Sequence, residues 1–182
     1  IVGRVPEAIR DLILNEWIEQ FRSENKEPDF GREKWEDGLK LHQDADLLVV
    51  FEMGRKLIDA LGLGWKEKDY YYIFLMERFV RGANAGLFIA WSARRALEEG
   101  VGKVRLTPVA SKGDKLIRFY RKLGFIIPDG FSIVMPEKNA IRFLQQRGFM
   151  PTISTIHNPI IISSSPLGFS RRELLIGGLT IF

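Results

Sequence analysis

Residues 78–125 read RFVRGANAGLFIAWSARRALEEGVGKVRLTPVASKGDKLIRFYRKLGF. Arg81, Gly82, Ala83, Asn84, Ala85 and Gly86 make a loop of mostly small residues at the end of a β-rich run. From about residue 85 to 99 the apolar side chains recur at helical spacing, and Gly100 closes the segment. Residues 104–107, VRLT, have the composition of a short strand, and residues 114–123 form a second helical pattern that stops at Gly124. Strand, loop, helix, strand and helix within fewer than roughly fifty residues is α/β organisation. The loop also has a chemical use. Small residues let a backbone approach a ligand closely, and the free N–H groups of a helix start attract anions, so a phosphate or pyrophosphate is a natural occupant.

Upstream, residues 70–80 (YYYIFLMERFV) are the longest β-type run and read as the central strand. Residues 46–51 (DLLVVF) are a second strand. Met53, Gly54 and Arg55 suit a tight turn, residues 56–63 (KLIDALGL) read as the returning strand, and residues 64–69 as a polar connection. Periodicity alone also permits a helix over residues 55–61. Ile9, Leu12, Ile13, Trp17 and Phe21 fall at helical spacing over residues 6–23, with Pro6 in the first turn and Trp17 and Phe21 as core residues. A second, shorter helix is expected over residues 32–42.

Downstream, Pro108 suits the end of the 104–109 strand. Residues 125–136 read as two short strands around a Pro128-Asp129-Gly130 turn. An internal echo follows: residues 139–149 (NAIRFLQQRGF) repeat the pattern of residues 115–125 (KLIRFYRKLGF), with Leu144 in place of Tyr120. From residue 151 the composition shifts to an apolar, serine-rich stretch and then an FSRRELLIGG segment. The expected organisation is a domain over residues 1–150 and a C-terminal extension over residues 151–182, which docks on the domain or on a protein partner.

Arg81-Gly82 with Gly86, the following helix ending in ALEEG, the VRLT strand and the IRFYRKLGF helix together resemble the GCN5-related N-acetyltransferase (GNAT) superfamily. The resemblance covers roughly residues 45–135, and its second half is the more specific. It implies an α/β (α+β) fold with a mixed, mostly antiparallel central sheet flanked by helices, and it favours strand over helix for residues 56–63. It implies acetyl-CoA as co-substrate, with its pyrophosphate on Arg81, Gly82, Ala83, Asn84, Ala85 and Gly86. It places the backbone of Leu75 and Met76 at the developing oxyanion, and Tyr120 as general acid toward the CoA sulfur. The chain departs from the family pattern at Asn84, where glycine is preferred, and at Gly113, where many members have asparagine.

Composition narrows the remaining chemistry. The absence of cysteine excludes disulfides, thiolate metal sites and a cysteine nucleophile. His42 and His157 are far apart in sequence, so no histidine-rich metal site is expected. A net charge of +4 suits anionic ligands, but the basic residues are interspersed with acids and no nucleic-acid motif is present, so no nucleic-acid partner is expected. No run of about eighteen apolar residues occurs, so no transmembrane helix is expected. With no signal-peptide pattern at the N-terminus, the expectation is a soluble intracellular protein.

Within the resemblance, the activity implied is acetyl transfer to a primary amine on a small molecule or a protein by direct attack. Glu77, near the end of the central strand, is the candidate base. Glu52 and Asp59 on neighbouring strands, or water alone, are alternatives. The competing reading is a GNAT-like domain without catalysis that serves binding or assembly, motivated by Asn84, Gly113 and the C-terminal extension.

Overall fold

A computed structural model describes residues 2–51, 57–80, 86–108, 113–128, 132–148 and 180–181. Its strands are β1 (Val2–Arg4), β2 (Asp46–Val50), β3 (Ala60–Lys66), β4 (Tyr71–Arg78), β5 (Val104–Leu106), β6 (Ile133–Met135) and β7 (Thr180–Ile181). The helices are α1 (Arg10–Ser23), α2 (Arg32–Leu41), α3 (Gly86–Glu98), α4 (Gly113–Lys122) and α5 (Glu137–Gln146). The strands form one sheet in the order β6-β5-β4-β3-β2-β1-β7. β1 pairs antiparallel with β2 and β7, β5 pairs antiparallel with β6, and β4 pairs parallel with β5. The expected mixed sheet with a β2–β3–β4 sequence of neighbours is present. No helix among the described residues is long and apolar enough to cross a membrane.

By contacts the chain divides into two compact units, Ile1–Leu63 with Leu75–Phe88 and His157–Phe182, and Gly64–Phe74 with Ile89–Ile156. In the first unit, α1 follows a 3-10 turn over Glu7–Ile9 that Pro6 initiates. The helix buries Ile13, Leu14, Trp17, Gln20 and Phe21, one stripe at helical spacing. Asp11 in its first turn and Arg22 in its last both suit the helix dipole. Arg32, on α2, bonds to Glu36 one turn on and reaches Asn15 and Asp11 of α1, so α2 is tied to α1 by one guanidinium. All five residues of β2 are buried. Arg4 of β1 meets the buried Asp46 of β2 at 2.6 Å.

The second unit holds most of α3, whose Ala93 and Ala96 are fully buried and permit close packing. Trp91 of α3 meets Tyr71 of β4 edge-on at 5.7 Å. The helix ends where Val101 and Gly102 donate to the Ala96 carbonyl, and Gly100 and Gly102 adopt positive φ. Asn139 of α5 donates to the Gly124 carbonyl at 2.6 Å, which joins α5 to the end of α4.

Three expectations are corrected. β3 starts at Ala60 and runs to Lys66, three to four residues later than the apolar pattern of residues 56–63 suggested. Gly64 lies inside this strand because its missing side chain admits the Tyr72 carbonyl and the Tyr71 ring, within 2.7–2.8 Å of where a Cβ would stand. Of the two strands expected around residues 128–130, β6 alone is a strand among the described residues; Ile126 makes a single bridge to Val134. β1, which the sequence reading passed over, is three residues long and is a strand through its pairing with β2.

Candidate active site

The alternation of β4 sorts the candidate residues onto two faces. Tyr71, Ile73, Leu75 and Glu77 are buried, while Tyr72, Phe74 and Met76 are half-buried on the other side. The side chain of Glu77 therefore shares a face with Leu75 and not with Met76, whose expected part is played by its backbone. The registered pairs of β4 with β5 are Tyr71–Val104, Tyr72–Arg105 and Ile73–Leu106. β4 itself continues to Arg78.

Glu77 is 4% exposed, and both of its carboxylate oxygens are held. The indole Nε1 of Trp17, on α1, donates to Oε2 at 3.3 Å. The backbone N–H of Asp29, in the α1–α2 connection, donates to Oε1. Burial raises this carboxyl from the usual 4.5 to about 7. The donors at Asp29 and Trp17 favour the charged form and oppose the shift, the Asp29 carboxylate adds to it, and the Phe30 N–H opposes it. A carboxyl that titrates near neutrality can take a proton from an ammonium or amine and release it again.

The Trp17 ring that donates to Glu77 belongs to an aromatic cluster. Trp17, Phe21 and Phe79 pack edge-to-face, with centroids 5.1 Å apart for Trp17–Phe21, 6.3 Å for Trp17–Phe79 and 4.9 Å for Phe21–Phe79. Lys26 lies over the Phe79 ring at 5.0 Å. Asp59, an alternative base, is also buried, and its carbonyl accepts from the N–H groups of Phe79 and Val80 at 2.9 and 3.2 Å. Glu52, the other alternative, lies outside the described residues.

Tyr120 belongs to the second unit. It is 5% exposed on α4, between Phe119 at 5.3 Å and Phe125 at 5.4 Å. Gly113 is the first residue of α4. At the equivalent place in the echo, Leu144 of α5 is a fully buried apolar residue. Arg81, Gly82, Ala83, Asn84 and Ala85 lie outside the described residues, as do residues 151–179 of the C-terminal extension. Gly86 is described: it begins the thirteen-residue α3, whose first turn contains no acidic residue. The positive end of the helix dipole thus meets no carboxylate from its own first turn, which suits an anion at the start of α3. A hollow of about 400 Å³ along α5, lined by Glu137, Lys138, Ile141, Arg142 and Gln145, contains none of these residues.

Similar architectures are found among solved structures. The ribosomal-protein-S18-alanine N-acetyltransferase of Escherichia coli matches 75% of this chain and 92% of its own, with 14% identity and a TM-score of 0.55. An acetyltransferase of the GNAT family from Staphylococcus aureus Mu50 matches 75% of this chain and 98% of its own, with 12% identity and a TM-score of 0.52. This is the GNAT fold. The PaiA N-acetyltransferase of Thermoplasma acidophilum, solved with coenzyme A, shares this fold at 11% identity and a TM-score of 0.52, over 75% of this chain and 98% of that one. Neither a protein-family model nor a curated protein matches the sequence.

Two groups that hold Glu77 escaped the sequence reading. Trp17 reads as a core residue from periodicity, which is blind to the direction of an indole N–H. The Asp29 donor is a backbone group and carries no side-chain signal at all.

Proposed function

We propose that this chain is an N-acetyltransferase that moves the acetyl group of acetyl-CoA to a primary amine by direct attack. The observation that carries this reading is a buried carboxyl, Glu77, titrating near neutrality toward the end of the central strand of a GNAT fold. Acetyl-CoA, when bound, supplies the activated thioester. Glu77 accepts the proton that the attacking amine must lose. Backbone N–H groups at Leu75 and Met76 stabilise the oxygen on which negative charge develops, an interaction worth about 3 kcal/mol when well aimed. The Tyr120 hydroxyl supplies a proton to the departing sulfur. Residues 81–86, with the start of α3, hold the pyrophosphate. The acceptor class is an amine on a small molecule or on a protein.

Calorimetric titration with acetyl-CoA, followed by an amine panel assayed by thiol release, tests this reading. Saturable binding and turnover are expected, with Tyr120→Phe and Glu77→Gln lowering kcat by about 10²–10⁴-fold. Absence of binding by both the natural chain and Asn84→Gly would leave the fold as a binding or assembly module. Binding by Asn84→Gly alone would identify a GNAT scaffold that has lost its co-substrate.

A further inference from the structure

We propose that Trp17 is a positioning residue for Glu77: its indole N–H, presented by α1, fixes Oε2 and thereby the rotamer in which the carboxyl meets the amine. The proposal rests on the reading of Glu77 as the base. It begins from geometry. Trp17 is fully buried, and its indole is a donor only. Phe21 and Phe79 stand edge-on to the ring at interplanar angles of 73° and 65°, so the direction of the N–H is set by packing. That N–H ends 3.3 Å from Oε2, across 60 residues of sequence.

Trp35 supplies the internal comparison. It is as completely buried as Trp17, on the neighbouring α2, and its Nε1 has no hydrogen-bond partner. Burial in this unit therefore does not by itself bring an indole N–H onto an acceptor. The placement of Trp17 against a carboxylate is a property of that site.

The arrangement also leaves the carboxyl able to work. An ionised carboxylate offers about four acceptor positions, of which the Trp17 indole and the amides of Asp29 and Phe30 take three, so acceptor capacity remains for the amine proton. The Asp29 carboxylate sits in the same connection as the amide donor, Lys26 covers the Phe79 ring, and Asp59 is buried beside the Phe79 backbone. Arg78, the next residue of β4, is exposed on the opposite face. Removing the indole donor takes away a group that favours the charged carboxylate and leaves these others in place.

The test is Trp17→Phe, which keeps a ring and deletes the N–H, beside Phe21→Leu, which disturbs the same aromatic cluster and keeps it. In protein labelled at the glutamate carboxyl carbon, the Glu77 resonance is assigned through Glu77→Gln. Its midpoint is expected to rise by about one pH unit in Trp17→Phe, a tenfold change in proton affinity, and to stay in place in Phe21→Leu. The acid limb of the kcat/KM profile should move with it, with KM for acetyl-CoA unchanged. An unmoved midpoint in Trp17→Phe, or an equal shift in Phe21→Leu, overturns the proposal. A midpoint that moves while the acid limb stays would keep the Trp17 assignment and reject Glu77 as base. Should Trp17→Phe fail to fold, the indole N–H cross-peak of Trp17 decides the matter in the natural chain. It must titrate at the Glu77 midpoint and become flat in Glu77→Gln; a peak that ignores Glu77 overturns the proposal.

Discussion

Glu77 binds its proton more tightly in the folded chain than in the unfolded one, because burial raises it from 4.5 to about 7. Between those values the folded state carries more protons, so stability falls as pH rises. The contribution is complete below about pH 4.5 and gone above about pH 7. Its size is on the order of 3 kcal/mol. Urea unfolding of the natural chain and Glu77→Gln across this window checks the sign: the difference in stability between them should drift by that amount, with the natural chain losing ground toward neutral pH. The same residue shows what the sequence can and cannot carry. Its position near the end of the longest β-type run is legible, and so is its candidacy as a base. Its burial, which raises its titration toward neutrality, and the donors that oppose that rise are set by tertiary packing: Trp17 and Asp29 lie 60 and 48 residues away in the chain.

At the scale of elements, α1 controls the start of β3 through one amide. Gln20 accepts from the Ile58 N–H at 2.7 Å and donates to the Ile58 carbonyl at 3.1 Å, standing in for a neighbouring strand just before Ala60. Gln20→Leu would leave both backbone groups buried without partners, at a cost of about 2–4 kcal/mol. Urea unfolding measures the loss, and faster hydrogen exchange at Ile58 locates it. Within β3, Gly64→Ala would bring a Cβ to 2.7 Å from the Tyr72 carbonyl and 2.8 Å from the Tyr71 ring. Backbone cannot yield as a flexible side chain can, so a loss of about 1–3 kcal/mol is expected in thermal unfolding. Gly31→Ala, where nothing lies within 4 Å of the added carbon, is the comparison. The displaced reading of β3 has the same origin. Gly62 faces the Phe88 ring and Gly64 the Tyr71 ring, and a glycine needed for close approach looks in sequence like a glycine needed for a turn.

For the molecule as a whole, the proposed co-substrate makes a prediction that needs no acceptor. A ligand that binds only the folded state stabilises it by mass action, by about 2.7 kcal/mol at one hundred times Kd. Acetyl-CoA is therefore expected to raise the thermal midpoint in a concentration-dependent way, and an unchanged midpoint at millimolar acetyl-CoA would remove the co-substrate from the proposal. The alternation of strand, loop, helix, strand and helix over residues 78–125 points to α/β organisation, the mixed sheet is what the family resemblance implies, and the parallel β4–β5 pair has α3 as its crossover. The strand order, and the place of β1 between β2 and β7, follow from pairing across the whole chain.

The sequence by itself determined the elements whose signals are local. Periodicity marked α1, α3 and α4, Gly100 and Gly124 marked two helix ends, and the β-type run at residues 70–80 marked the central strand. Local spacing is enough there because a helix or strand face is defined by residues a few positions apart. Tertiary structure decided that Val2–Arg4 is a strand, that β3 begins at Ala60, and that Glu77 is buried and accepts from an indole and a distant backbone amide. Those outcomes depend on which distant groups meet, and on the cost of leaving a buried polar group without one.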